Sequence, residues 1–316
     1  MCENYKIIPK VYIVIINWNG IADTLECLES LASLEYSNFE IVIVDNGSSD
    51  NSVNIIKEQH SNVAIIESKT NLGFTGGNNL GISFALENCA DYVWLLNNDT
   101  VVDSEALSHL VTAASISCNN GIIGSVIYDY VDRNRIQFAG ATINWTKAKS
   151  PHIYTLPHNN LFEVERVNGC SMLVGNNVLK EIGLFDDNYF LYAEEVDFCV
   201  RARNAEFKCL MEPKSKIYHK VSSTVNKAAG KGIILKYYNT RNFLYLIDKL
   251  CPYYWRKLII ARHILKYVKK DIGCFLKIIL FGILRLNLVK PEDCPRLFAV
   301  RDYLFHKMGK TLFMER

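Results

Sequence analysis

The sequence lacks most of the features that would place a chain at a glance. Its ten cysteines include no C-x-x-C pair, and no histidine stands at zinc-finger spacing. That excludes a zinc ribbon and a dithiol redox centre. Thiols scattered from Cys2 to Cys294 read as reduced, several of them as plain core residues. No G-x-G-x-x-G follows the first apolar run, which argues against a dinucleotide fold of the usual kind. No stretch reads as a membrane span. Val11–Ile16 is too short, Gly273–Arg285 is short and interrupted by Lys277, and Met1–Lys10 lacks the apolar core of a signal peptide. Internal repeats and low-complexity segments are absent. Net charge is small as well, at +2, but it is unevenly spread. Residues 251–316 hold 14 Lys and Arg against 5 Asp and Glu, or +9, leaving 21 against 28, or −7, for residues 1–250. A basic tail on an acidic body suits an anionic surface as partner.

The chain does have core-forming capacity. Of 316 residues 49% are hydrophobic, enough for one large α/β unit with an appendage. Strands are expected at Val11–Ile16, Ile41–Val44, Val63–Ile66 and Val93–Leu96, separated by helix-length segments. That alternation predicts a doubly wound, mostly parallel sheet. Later strands are expected at Ile122–Ile127, Ile136–Ile143, Asn168–Val174 and Lys208–Met211, the last ending in a Glu212-Pro-Lys turn. Trp145–Asn160 reads as an irregular insertion.

The fourth strand stops at Asn97-Asn98-Asp99-Thr100. In open α/β sheets ligands bind beyond the carboxyl ends of the strands, and a carboxylate flanked by amides there suits a hard divalent cation. A polar turn capping the next helix would use the same residues. Asp45, directly after the second strand, can accept hydrogen bonds from a nucleotide's ribose or base, or can serve a turn with Gly47 and Ser48. Asn71-Leu-Gly73-Phe-Thr-Gly-Gly77-Asn78-Asn79 reads as a glycine-rich loop feeding a helix at Ile82–Glu87, an arrangement that can approach phosphate closely.

In this order the motifs Asn17-Trp-Asn-Gly, Ile-Val-Asp45-Asn-Gly-Ser-Ser-Asp50, Asn71-Leu-Gly-Phe with Gly77-Asn-Asn, and Leu-Leu-Asn-Asn-Asp99-Thr resemble glycosyltransferase family 2, most of all its rhamnosyltransferase-like branch. The resemblance spans roughly residues 8–250. It implies a GT-A, Rossmann-like fold and a nucleoside-diphosphate sugar donor held with Mg2+ or Mn2+. Asn17, Asp45, Asn71, Gly73, Gly77, Asn78 and Asn98 would line the donor site, and Asp99, Asn97 and His219 would hold the metal. Asn97 stands where the family's D-x-D motif has its first Asp, although that branch commonly carries Asn there. One fewer carboxylate implies a more substrate-dependent metal site.

Two further stretches bear on chemistry. Tyr189-Phe-Leu-Tyr-Ala-Glu194-Glu195-Val-Asp197 opens a helix with three acids. Acids in a first helical turn are ordinary dipole partners, yet adjoining aromatic surface can raise a carboxylate pKa and suit a general base. The family carries Glu-Asp at this point, and by that resemblance Glu195 is the base with Glu194 orienting it or the acceptor. Asp197 is expected to pair with Arg201 or Arg203. Arg241 in Tyr237-Tyr-Asn-Thr-Arg-Asn is suited to the donor diphosphate, or is simply a solvated surface residue.

The tail from Tyr253 to Leu288 carries Arg256, Lys257, Arg262, Lys266, Lys269, Lys270, Lys277 and Arg285 at helical intervals. It predicts basic amphipathic helices, either on an anionic membrane surface or packed on the body. The division expected is a catalytic domain at 1–250 and a helical tail at 251–316. The resemblance implies an inverting transfer to a hydroxyl of a glycan or lipid-linked glycan, by a cytoplasmic protein peripheral on the inner face of the membrane, with no nucleic-acid partner. Two rival readings use the same fold or the same ligand. A sugar nucleotidyltransferase would need a basic loop near the first strand, where Asn17–Ala22 has no Lys or Arg. A catalytically silent nucleotide-sugar-binding module would not hydrolyse its donor.

Overall fold

A computed structural model describes residues 8–220, 231–273, 276 and 292–311. The first half alternates as expected: β1 (Val11–Asn17), α1 (Ile21–Leu31), β2 (Phe39–Asp45), α2 (Ser52–Gln59), β3 (Ala64–Glu67), α3 (Gly73–Glu87) and β4 (Tyr92–Asn97). There follow β5 (Thr100–Val102), α4 (Ala106–Ser115), β6 (Asn120–Asp129), β7 (Ile136–Phe138), β8 (Phe162–Glu163), β9 (Ser171–Gly175), α5 (Asn176–Ile182), α6 (Glu194–Asn204) and β10 (Lys208–His219). The sheet order is β3-β2-β1-β4-β9-β6-β10-β5, with β7 beside β6 and β8 beside β10.

β1, β2, β3, β4, β6 and β10 all run the same way, whereas β5, β7, β8 and β9 oppose them. The sheet is therefore mixed but mostly parallel. Its central strands are buried on both faces, which is why they read as unbroken apolar runs. Along β1, Val11, Ile13 and Ile15 enter the cluster under α1, α2 and α4. Tyr12 and Val14 enter the opposite cluster with α3 and α6. β4 splits likewise, Trp94 and Leu96 to one side, Val93 and Leu95 to the other. Each such buried side chain contributes on the order of 1.5–3 kcal/mol. The carboxyl ends of β1, β2, β4, β6 and β10 carry Asn17, Asp45, Asn97, Asp129 and His219, all at one edge.

Three local expectations need correction. The glycine-rich stretch is not a loop, because α3 begins at Gly73. Its glycines let the helix lie close to β1: a Cβ on Gly81 would stand 2.2 Å from Val14 Cγ1. The strand expected over 136–143 ends at Phe138, and Gly140 follows at φ +106°. The Glu212-Pro-Lys segment does not end a strand. It is an irregularity inside β10, which resumes its pairing at Lys216 and so carries on to His219.

Beyond residue 230 lie α7 (Lys231–Leu250), α8 (Arg256–Lys270) and α9 (Pro295–Leu304). α9 is locked to α7 by Tyr237 Oη donating to Asp302 (2.6 Å) and Tyr303 Oη donating to Asp248 (2.9 Å). Residues 295–311 therefore pack on the body, and a division at residue 250 cuts through an interlocked helical layer. Most of the expected amphipathic segment 273–285 lies outside the described residues. Cys294 is disulfide-bonded, which corrects the reading of ten reduced thiols. Among the described residues no helix is long and apolar enough to cross a membrane.

The close approach at Gly81 has a measurable consequence. Gly81→Ala should destabilise the protein by about 1–3 kcal/mol through overpacking, despite alanine's better helix propensity. Gly232→Ala, whose added Cβ meets nothing within 4 Å, should stabilise by roughly 0.5–1 kcal/mol. Urea unfolding of both variants checks the contrast.

Candidate active site at the carboxyl edge of the sheet

The nucleotide side of the edge is built from buried polar groups. Parallel register sets Asn17 beside Asp45, and Asn17 Nδ2 donates to Asp45 Oδ1 at 2.9 Å. Ser48 N–H donates to the other oxygen at 3.0 Å. Asn17 is wholly buried, so its role is to hold Asp45. Asn98 donates to Thr24 Oγ1 at 2.9 Å, and Thr24 Oγ1 donates to Asn17 Oδ1 at 2.9 Å, which ties the end of β4 to the first turn of α1. The other residues expected at the donor site make contacts within the protein. Asn71 Oδ1 accepts from Gly73 N–H, Asn78 Nδ2 donates to Phe74 O, and Gly77 packs on Ile16 and Asn46. Asn46, which motif reading passed over, organises this corner by bonding Leu72 N–H and Gly73 O.

The metal side turns on His219. Gln137 Nε2 donates to Asp129 Oδ2 (2.9 Å) and to His219 O (3.1 Å). That leaves Gln137 Oε1 facing His219 Nδ1 at 3.3 Å. With Nδ1 donating to Gln137, the neutral ring has its lone pair on Nε2. Nε2 lies 3.2 Å from Asp99 Oδ1, outside hydrogen-bond geometry, and is buried without a hydrogen-bond partner. A lone pair facing a carboxylate oxygen in a buried site repels it unless a cation lies between them. The residues therefore fit a divalent metal. Among the described residues no third His, Cys, Asp or Glu completes a set. Asn97, half-buried at the end of β4, and the donor's phosphates are the remaining oxygen sources.

A cavity of about 500 Å³ opens beside His219, lined also by Gln137, Phe138, His152, Tyr154 and Asn168. Next to Asn168, a Cβ placed on Gly169 would stand 3.8 Å from Glu195 Cβ. Glu195 does have a full-time cationic partner, which the local sequence did not reveal. Arg166 Nη1 contacts its Oε1 at 2.8 Å, with Arg166 itself 2% exposed and its Nε bound to Ser150 Oγ. Glu194 is buried with Oε2 unpartnered. Burial, and then the charge of Glu195, push its pKa well above the usual carboxylate range. Arg166 is the charged group that the structure sets directly on Glu195. Asp197 pairs with Arg201 as expected (2.6 Å) and also with Lys249 (2.7 Å).

Arg241 is the clearest correction. Its side chain is fully buried, and its guanidinium donates to Gly309 O (2.8 Å), Asn188 O (3.2 Å) and Tyr189 O (3.1 Å). None of this leaves it available to a diphosphate. The backbone it grips at 188–189 leads into an unusual stretch: Phe190, Tyr192 and Ala193 all have positive φ (64°, 68° and 73°), at about 1–3 kcal/mol each.

Residues 12–176 match the profile of Glycosyl transferase family 2. The chain belongs to that family. Among curated relatives, a low-salt glycan biosynthesis hexosyltransferase of Haloferax volcanii is 28% identical over 203 residues. That match covers 60% of this chain and 61% of the relative, so this chain spans less than two thirds of that relative's length. A dTDP-rhamnosyl transferase of Shigella flexneri is 23% identical, with 76% and 80% covered. A mannosyltransferase of Pyrobaculum calidifontis, solved in complex with GDP-Man and Mn2+, superposes with a TM-score of 0.57 at 14% identity. It covers 95% of this chain and 88% of that structure, and shares the fold. The GT-A-like α/β architecture and membership of family 2 both stand.

For this family 2 chain the buried acid makes a pH prediction. Glu194 stays protonated in the fold well above its ordinary value of 4.5, so above that pH the folded state binds more protons than the unfolded chain. Stability must then fall as pH rises. Glu194→Gln should flatten that fall as pH rises above 4.5. Urea midpoints of both proteins across that range check it.

Proposed function

We propose that the chain is an inverting, metal-dependent glycosyltransferase. It would move a hexosyl unit, with rhamnose the leading candidate, from a nucleoside-diphosphate sugar to a hydroxyl of a glycan or lipid-linked glycan in cell-surface polysaccharide synthesis. The observation that carries this reading is the pairing of His219 Nε2 with Asp99 Oδ1, on the same sheet edge as Asp45 and beside a cavity lined by His219 and Asn168. In this reading Asp45 receives the nucleoside. Arg166 engages Glu195 Oε1, leaving Oε2 to take the acceptor's proton as its oxygen attacks the anomeric carbon from the face opposite the diphosphate. The bond to the diphosphate breaks and its charge passes to the phosphate. Mg2+ or Mn2+ held by Asp99 and His219 would neutralise that charge.

A lipid-linked acceptor would bring the protein to the inner face of a membrane, and α8 suits such a contact. One face of it is packed through Ile259, Ile260 and His263. The opposite face exposes Leu258 (71%) and Leu265 (61%), seven residues apart, with Tyr254 (89%) just ahead. Its six cations stand without one acid in Arg256–Lys270. A basic helix with an outward apolar stripe matches an anionic lipid surface.

Two measurements test these statements. A panel of nucleotide sugars with Mg2+ or Mn2+ should show nucleoside-diphosphate release with one donor. Asp99→Ala should abolish the metal dependence, and Glu195→Gln should keep donor affinity while lowering turnover by roughly 10²–10⁴. Normal turnover in Glu195→Gln sinks its role as base. The protein should also float with vesicles containing phosphatidylglycerol but not with pure phosphatidylcholine, and Leu258→Glu with Leu265→Glu should remove it. Flotation that ignores anionic lipid, or survives both substitutions, rules out α8 as the contact.

A further inference from the structure

The turn that delivers Glu194 and Glu195 to the site does not hold its own shape. Three non-glycine residues in four positions, Phe190, Tyr192 and Ala193, sit in the left-handed region, which L side chains adopt only when the surroundings require it. The surroundings that require it come from far away in sequence. Asn242 Nδ2 donates to Tyr189 O (3.0 Å), Leu191 O (2.8 Å) and Tyr192 O (2.7 Å). Its orientation is set by Arg241 Nε, which donates to Asn242 Oδ1 at 2.9 Å. Arg241 Nη2 holds Asn188 O and Tyr189 O, while its Nη1 reaches Gly309 O. Gly309 N–H returns a bond to Asn188 O at 2.9 Å. On the opposite side Thr75 N–H approaches Phe190 O at 3.3 Å.

We propose that Arg241 and Asn242, with the segment 307–311 that Arg241 ties in, form the positioning device of the base. They hold residues 188–193 in the one backbone path that aims Glu195 at the acceptor. This rests on the reading of Glu195 as base. It gives the segment after α9 a part in catalysis, although it lies more than a hundred residues from the site in sequence and touches no substrate. Arg241 and Asn242 are positioning residues: every bond described above goes to the protein itself. Guanidinium presents its donors in a fixed planar fork, which the rotatable donors of an ammonium do not reproduce.

The test uses the full chain and the nucleotide sugar that the panel identifies. Asn242→Ala and Arg241→Lys should lower kcat by roughly 10²-fold, the loss that misplacement of a reacting group by about 1 Å brings. Donor affinity by calorimetry should stay within about twofold. In Arg241→Ala, millimolar guanidinium should restore part of the turnover. Unchanged kcat in these variants overturns the proposal, and so does a parallel fall of kcat and donor affinity, which would mark general loosening. If they do not fold, Gly309→Ala decides. Gly309 is half-buried at φ +76° with only Asp187 O near its added Cβ (3.9 Å), so it perturbs the grip from outside the core. It should lower kcat more mildly, and an unchanged kcat there also overturns the proposal. Amide hydrogen exchange reads the device without any substrate: residues 188–195 should exchange faster in Asn242→Ala or Gly309→Ala, and no local change contradicts it. A wild-type protein that binds no nucleotide sugar would instead count against the glycosyltransferase reading, whatever the exchange shows.

Discussion

A buried polar group must find a partner, and that requirement organises the carboxyl edge of this sheet. Six strands end in the same direction, and the residues at the tips of β1, β2, β4, β6 and β10 leave the apolar core while staying buried or half-buried. Asn17 is wholly buried, Asn46 and Asp45 nearly so, and Asp99 is 6% exposed. An unpaired donor or acceptor in such a place costs about 1–3 kcal/mol. The chain meets the requirement with a network in which one asparagine fixes the next group along, from Asn98 through Thr24 and Asn17 to Asp45. The rigidity of the nucleotide side follows from that network rather than from glycine-rich backbone.

Against this background the atoms left unpartnered carry information. His219 Nε2 and Glu194 Oε2 are both buried without a hydrogen bond. The first faces a carboxylate oxygen and has its tautomer dictated by Gln137, as a metal ligand requires. The second belongs to an acid whose burial pushes its pKa up. Two adjacent acids thereby have different surroundings, one desolvated and the other paired with Arg166.

Strain is concentrated where the acid pair enters. The left-handed residues before α6 are paid for by side chains of α7 and by the chain after α9, so the C-terminal helices support the site as well as covering the body. Arg241 shows how a basic residue in a family-like segment can be mistaken for a ligand contact. Its fixed fork of donors suits backbone carbonyls as well as it suits phosphate.

By itself the sequence determined the alternation of strand and helix, the two-faced burial of β1 and β4, and the placing of Asp45 and Asn97–Asp99 at strand ends. Those properties are local: apolar runs, periodicity and the abrupt change to polar residues are written in consecutive positions. Its ordered motifs also carried the family. The partner of Glu195 was not legible, because Arg166 lies 29 residues away on a segment with no motif of its own. Gln137 likewise meets His219 only because β7 pairs with β6 beside β10. The glycines read as a phosphate loop because close approach to a ligand and close approach to a strand demand the same residue, and only the packing of α3 on β1 tells them apart. The burial of Arg241 was decided last of all, by contacts with residues 188, 189 and 309. No neighbouring residue signals that burial, since whether a guanidinium meets water, phosphate or carbonyl depends on which distant segments close around it.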